Sequence, residues 1–330
     1  MWLLLNRPYR RNGAVRFFLT YSLPGSIIFL NDLSECFGGV EFMKRPVLFI
    51  LLGQSNAVGH GVELDEGERI TSPLKNVFGL TREDNAFPSE ECAVWRGFVT
   101  GNMNLGEDEE HHASIANYLA PMWQSAVDSG EELGDLYTVN ISIGAQGVTE
   151  EYMWYPGREV RYVPGKLGEV DISLTPYAEN ILARVKKYFD GLGVVPKTVI
   201  HWRGGENDFL VPVEKLSGRL FGIYEEIFTR LKSALGFPCK TVLHRIVCDT
   251  RAFDFNPVDG LSIKSMGYIN NVFCDLSERL ENTEVFDGTR IPGFTLSAED
   301  RGIFIEDKVH FTGAANKWVA KTVFEDLKKA

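Results

Sequence analysis

Three observations predict an α/β fold built on a doubly wound, mostly parallel sheet. A continuous apolar run and further strand-like segments, most of them ending at glycine-bearing turns, alternate with helical patterns, and most of the chemically useful polar residues stand where those segments end. The first run, Val47-Leu-Phe-Ile-Leu-Leu52, is closed by Gly53, as expected of a strand buried on both faces. A helical pattern over about 114–129 leads to a second strand, 136–142, which ends before Gly144. A helix over 177–192 precedes the third strand, 198–202, which ends before Gly204-Gly205. Helix 214–235, strand 241–247 and helix 266–280 continue the alternation, and a last helix starts after Thr312, a suitable N-cap. Alternation of this kind implies right-handed βαβ crossovers. Two stretches stand outside it, and loops of about 61–112 and 150–175 are expected as walls or lids over a site.

The 330 residues carry 34 basic and 45 acidic side chains, a net charge of −11. An acidic surface repels phosphate backbones, so nucleic acid is excluded as a general partner. The uncharged stretch 17–31 is shorter than a bilayer span and is interrupted by Pro24-Gly25, so no membrane segment is expected. Five cysteines without a C-x-x-C pair read as scattered buried thiols of a reducing, cytoplasmic setting, with no metal site and no cofactor. Residues 1–42 do not match the remainder. Met43 followed by Lys44-Arg45-Pro46 resembles a second start, so residues 43–330 are expected to form one domain and 1–42 a non-native or disordered leader.

In an open parallel sheet, ligands bind beyond the carboxyl ends of the strands. Ser55 stands at the first strand end, flanked by Gln54 and Asn56. A serine becomes a nucleophile when a base takes its proton. His310 is the candidate base, and Asp307, three residues earlier, is placed to accept the other ring N–H and set the tautomer. An oxyanion needs aimed donors, for which the Ser55 N–H, a glycine N–H after the second strand and the Asn207 amide are candidates. Singly, each signal has a plainer reading: Ser55 as a helix cap, Asn207-Asp208 as a turn, Asp307 with His310 as a surface pair. The run Glu107-Asp-Glu-Glu-His-His112 reads as a solvated acidic loop, and His201 and His244 as packing residues within strands.

Together, Gly53-Gln-Ser-Asn56, Gly205-x-Asn-Asp208 and Asp307-x-x-His310, in that order, resemble the sequence blocks of the SGNH hydrolases. The opening block and Trp202-x-x-Gly-Glu206 look most like the branch of sialate O-acetylesterases and acetyl xylan esterases. The resemblance implies a flavodoxin-like α/β/α sandwich and metal-free hydrolysis of esters, usually acetyl esters of a carbohydrate. It also implies Ser55 as nucleophile, His310 as base, Asp307 as its partner, and an oxyanion hole of Ser55, Gly147 and Asn207, with Gly144 as the fallback glycine. Glu206 is a rival acid for His310, and Gln54, Asn56 and Trp154 are candidate substrate contacts. A lipase, thioesterase or amidase on the same scaffold, or a glycan-binding module without turnover, are the alternative functions. The partner expected is a small-molecule or glycan ester.

Overall fold

Strand β1, Val47–Gly53, alternates its side chains between two apolar layers, as a two-sided strand must. Leu48, Ile50 and Leu52 join one core cluster, and Val47, Phe49 and Leu51 join the other. The computed structural model describes residues 44–82, 93–101, 103–107, 111–158, 172–248, 261–294 and 302–329. Before them it describes two short antiparallel ladders, Tyr9–Arg11 with Ala14–Arg16 and Tyr21–Leu23 with Ser26–Ile28, neither of them part of the main sheet. The rest of 1–43, including the boundary expected at Met43, lies outside the described residues.

The main sheet continues with β2 (Val77–Arg82), β3 (Ala93–Gly97), β4 (Leu136–Ser142), β5 (Lys197–Arg203), β6 (Cys239–His244) and β7 (Thr283–Phe286). The spatial order is β7-β6-β5-β1-β4-β2-β3, and β3 alone is antiparallel to its neighbour. Setting the β2–β3 hairpin aside, the chain runs from the central β1 to β4 on one side. It then returns to β5 on the other side and continues outward, which is the flavodoxin-like order. Helices α3 (Leu174–Leu192), α5 (Leu220–Leu235) and α6 (Leu261–Arg279) cover one face, while α2 (Ile115–Asp128) and α7 (Gly313–Lys328) cover the other. Short helices α1 (Ser55–Val58) and α4 (Val213–Leu216) lie in the connections after β1 and β5. No helix of the described residues is long and apolar enough to cross a membrane.

Register places the site. Gly53 is level with Ser142 of β4 and Arg203 of β5, so the turns after these three strands leave the sheet at one edge. A Cβ on Gly53 would stand 1.9 Å from the Arg203 carbonyl oxygen, and φ there is +142°, so only glycine fits where β1 meets β5.

Some expectations are corrected. The loop expected over 61–112 contains β2 and β3, which extend the sheet beyond β4. The strand expected over 241–247 ends at His244, and β7 is an unanticipated edge strand. The helix expected over 214–235 is broken at Ser217–Arg219, where Gly218 takes φ +75°. Cys239 and Cys248 are buried free thiols, but Cys274 is exposed. Of the stretch 150–175, residues 159–171 lie outside the described residues.

Candidate active site

The turn after β1 presents Ser55 as the first residue of α1, with Gln54 extended before it and Gly59 closing the helix through its N–H on the Ser55 carbonyl at 2.9 Å. From the far end of the chain, segment 304–311 folds back as a tight turn. A bridge joins Phe304 and Phe311, and the Ile305 N–H donates to the His310 carbonyl at 2.8 Å. Asp307 organises the turn: its Oδ1 accepts from the backbone N–H groups of Val309 and His310, each at 2.9 Å. Its other oxygen, Oδ2, lies 2.5 Å from His310 Nδ1. Lys308 takes a left-handed φ of +68°, a conformation that costs a non-glycine residue about 1–2 kcal/mol. One carboxylate thus closes the turn and orients the ring, which explains the three-residue spacing. On the other side of the ring, His310 Nε2 lies 2.6 Å from Ser55 Oγ. Asp307, His310 and Ser55 therefore form one hydrogen-bonded chain.

Burial alone would raise the Asp307 pKa. Hydrogen bonds from the His310 ring and from the His310 and Val309 amides, together with attraction to the ring, outweigh it and hold the carboxyl below the ordinary aspartate value.

Asn56 ties the two halves of the site together. Its Nδ2 donates to Glu206 Oε1 at 2.7 Å and to the Val309 carbonyl at 3.3 Å, while its Oδ1 accepts from the Phe311 N–H at 3.3 Å. The two residues flanking His310 are thereby anchored to the residue following Ser55. Glu206 is engaged by Asn56 through one oxygen, its other oxygen is buried without a hydrogen-bond partner, and Asp307 holds His310 Nδ1. The expectation of Glu206 as a rival acid is corrected on that geometry.

The loop after β5 carries Asn207. Gln54 reaches it, with Nε2 3.4 Å from Asn207 Oδ1 and Oε1 3.4 Å from the Gly205 N–H. Asn207 Nδ2 donates to the Ala145 carbonyl at 3.0 Å. Burial is the largest influence on the Tyr152 phenol and raises its pKa, with Asp208 and Glu151 adding to the rise and Asn207 opposing it.

Fully buried Asp208 accepts from the Val148 N–H at 3.0 Å and from the Thr149 N–H at 3.3 Å. Its pKa is pushed up to about 7, by burial first, against those hydrogen bonds and with help from Glu151 and Glu206. A Cβ on Gly147 would stand 2.4 Å from Asp208 Oδ1, so glycine is required there by close approach. Gly144 is the glycine beside Ser55, since a Cβ on it would lie 3.8 Å from the serine Cβ. Its N–H is already taken by Glu107 Oε2 at 2.5 Å.

Gln54, Asn56 and Trp154 are buried, at 1%, 3% and 0% exposure, and cannot touch a substrate in this structure. They are framework. Trp154 donates its indole N–H to the Gly53 carbonyl at 2.9 Å and packs edge-on to Trp202. The acidic loop is likewise not merely solvated. Glu107 reaches Gly144, and His112 lies 4.8 Å, ring to ring, from His60, which in turn lies 4.7 Å from His310. His60 carries no motif, while Glu107 and His112 stand at the two ends of the acidic run 107–112, whose charge density is the only sequence signal that sets them apart.

His201 and His244 pack within β5 and β6 as expected, with Nδ1 of the first 2.8 Å from Nε2 of the second. Burial, followed by nearby positive charge, lowers the His201 pKa to about 3 and that of His244 well below the ordinary value.

No protein-family profile matches the chain, and no curated protein matches it by sequence. Among solved structures it is similar to NanS, with a TM-score of 0.54 and 13% identity over 87% of this chain and 98% of that one. A carbohydrate acetylesterase family member from Sinorhizobium meliloti matches with a TM-score of 0.40 and 12% identity, over 86% of this chain and 97% of that one. With its flavodoxin-like sheet and its similarity to NanS over nearly its whole length, the chain has the fold of the SGNH hydrolases.

Proposed function

We propose that the protein is a serine esterase that removes short acyl groups, acetyl above all, from a hydroxyl of a carbohydrate. The observation that carries this reading is the chain of contacts Asp307 Oδ2–His310 Nδ1 and His310 Nε2–Ser55 Oγ, at 2.5 and 2.6 Å, at the ends of the strands. His310 takes the Ser55 proton as Oγ bonds to the ester carbonyl carbon. The resulting oxyanion is held by the Ser55 N–H, Gly147 N–H and Asn207 Nδ2, one of whose present contacts it replaces. The intermediate collapses, the C–O bond to the alcohol breaks, and His310 gives its proton to that oxygen. Water then adds to the acyl-enzyme with His310 again as base, releasing the acid and restoring Ser55.

Gly147 is preferred to Gly144 because Asp208 fixes the amides directly after it and is the neighbour of Asn207, so one carboxylate positions both donors. Acetyl and carbohydrate specificity rest on the likeness of Gly53-Gln-Ser-Asn56 and Trp202-x-x-Gly-Glu206 to the carbohydrate esterase branch.

Hydrolysis of p-nitrophenyl acetate tests the reading. Ser55→Ala is expected to lose activity by at least about 10³-fold with an unchanged circular dichroism spectrum. Full residual activity would refute the assignment. Faster turnover of long-chain esters than of acetate would point to a lipase instead.

A further inference from the structure

The leaving alcohol must sit at the Nε2 edge of His310, because the proton taken from Ser55 is handed to its oxygen there. Whatever solvent-facing group flanks that ring is placed to meet the alcohol. Among the described residues, His60 is such a group. Its exposed imidazole lies 4.7 Å from the His310 ring at an interplanar angle of 50°. Its position is fixed by the chain itself, since the His60 N–H donates to the Ser55 carbonyl at 2.9 Å, so the ring follows the serine by one short turn. Behind it stands His112, 4.8 Å away and tilted by 37°. His112 Nδ1 accepts the Gly61 N–H at 3.3 Å, which uses that lone pair and places the proton of a neutral ring on Nε2. The two rings therefore form a wall reaching outward from His310, backed by the segment that enters α2.

We infer that the His60–His112 pair is the leaving-alcohol subsite and takes a neutral, polyhydroxylated ring such as a pyranoside. A neutral imidazole offers one donor and one acceptor at its edge and a flat apolar face. Hydroxyls that both donate and accept, set on a ring with C–H faces, match that surface, whereas an anionic group would need a cation. The His60 imidazole is biased toward its neutral form, by partial desolvation first and then by His310 and His112, with Asp307 opposing. The carboxylate of Glu107, on the neighbouring Gly144 amide, disfavours an anion further.

This inference rests on the esterase reading, and the experiment separates the two. Wild type, His60→Ala and His112→Ala are assayed for released acid on ethyl acetate and on a panel of mono-O-acetyl methyl hexopyranosides. Ethyl acetate requires the same proton transfer to an alkoxide but offers no ring and no further hydroxyls. Wild type is expected to prefer a sugar acetate. His60→Ala is expected to lower kcat/KM on that substrate by roughly tenfold, mainly through KM, with a clearly smaller loss on ethyl acetate. A smaller loss of the same kind is expected for His112→Ala.

Equal losses on both substrates would show that His60 only props the His310 ring and would overturn the subsite. No loss on the sugar ester, or no wild-type preference for any sugar acetate over ethyl acetate, would overturn it too. Absence of Ser55-dependent hydrolysis of every ester would instead remove the underlying esterase reading.

Discussion

At the scale of single residues, the division of labour between two carboxylates decides how the site works. Asp307 faces the His310 ring and closes its turn, while Glu206 faces Asn56. Asp307→Asn keeps the shape but removes the acceptor that fixes the His310 tautomer, so kcat on p-nitrophenyl acetate is expected to fall by about 10²–10⁴-fold. Glu206→Gln retains an acceptor for Asn56 and is expected to cost less than about tenfold, as a positioning change. Steady-state kinetics of the two variants check this, and a larger loss for Glu206→Gln would reverse the assignment. Because its pKa is held below the ordinary aspartate value, Asp307 remains ionised as pH falls through the range where a free aspartate begins to protonate.

Among the elements, three turns and one distant hairpin converge because register brings β1, β4 and β5 out at the same level. Asn56 is the clasp. It is 3% exposed and bonds both sides of His310 from the residue next to Ser55. Asn56→Ala strands a Glu206 carboxylate that already has one oxygen without a partner. A loss of about 2–3 kcal/mol in urea denaturation is expected, together with reduced activity. A change within about 0.5 kcal/mol would show that the clasp carries no weight.

The same elements explain what could be read from the sequence. Strands β1 and β4 are buried on both faces; β1 is a continuous apolar run and β4 keeps an apolar residue at every second position or better, so both have sharp ends. In the β2–β3 hairpin, Gly79 against Met103 interrupts the short apolar stretch of β2, and β3 is only half-buried, so neither shows such a run. Ser55 was legible through a short motif at a strand end, and Asp307 with His310 through one just before the last helix. His60, His112 and Glu107 were not, because pairing across tens of residues leaves no local pattern. Trp154 could be recognised as important but not placed, since an indole serves a sugar wall and a core equally well.

For the molecule as a whole, the buried pair His201–His244 sets a pH dependence of stability. Both imidazoles are neutral in the fold, with pKa values well below the ordinary 6.5. Below pH 6.5 the unfolded chain takes up protons that the folded chain refuses, so this part of the stability is complete above 6.5 and is lost as pH falls. Asp208 acts oppositely, because its raised pKa makes the folded chain hold a proton between pH 3.8 and about 7. The imidazoles whose pKa is lowered outnumber the one carboxylate whose pKa is raised, so a net decline in stability is expected as pH falls below 6.5. Urea melts at pH 7 and pH 5.5 are expected to show that decline, and His244→Gln to flatten it. Equal slopes in the variant and the parent would remove the pair as the cause.

If this fold delivers an activated Ser55, direct labelling detects it without any assumption about the substrate. A fluorophosphonate probe, followed by peptide mass spectrometry, is expected to modify Ser55 stoichiometrically and to leave His310→Ala unlabelled. An intact protein in which Ser55 stays unmodified, or in which another serine is labelled instead, would contradict the account.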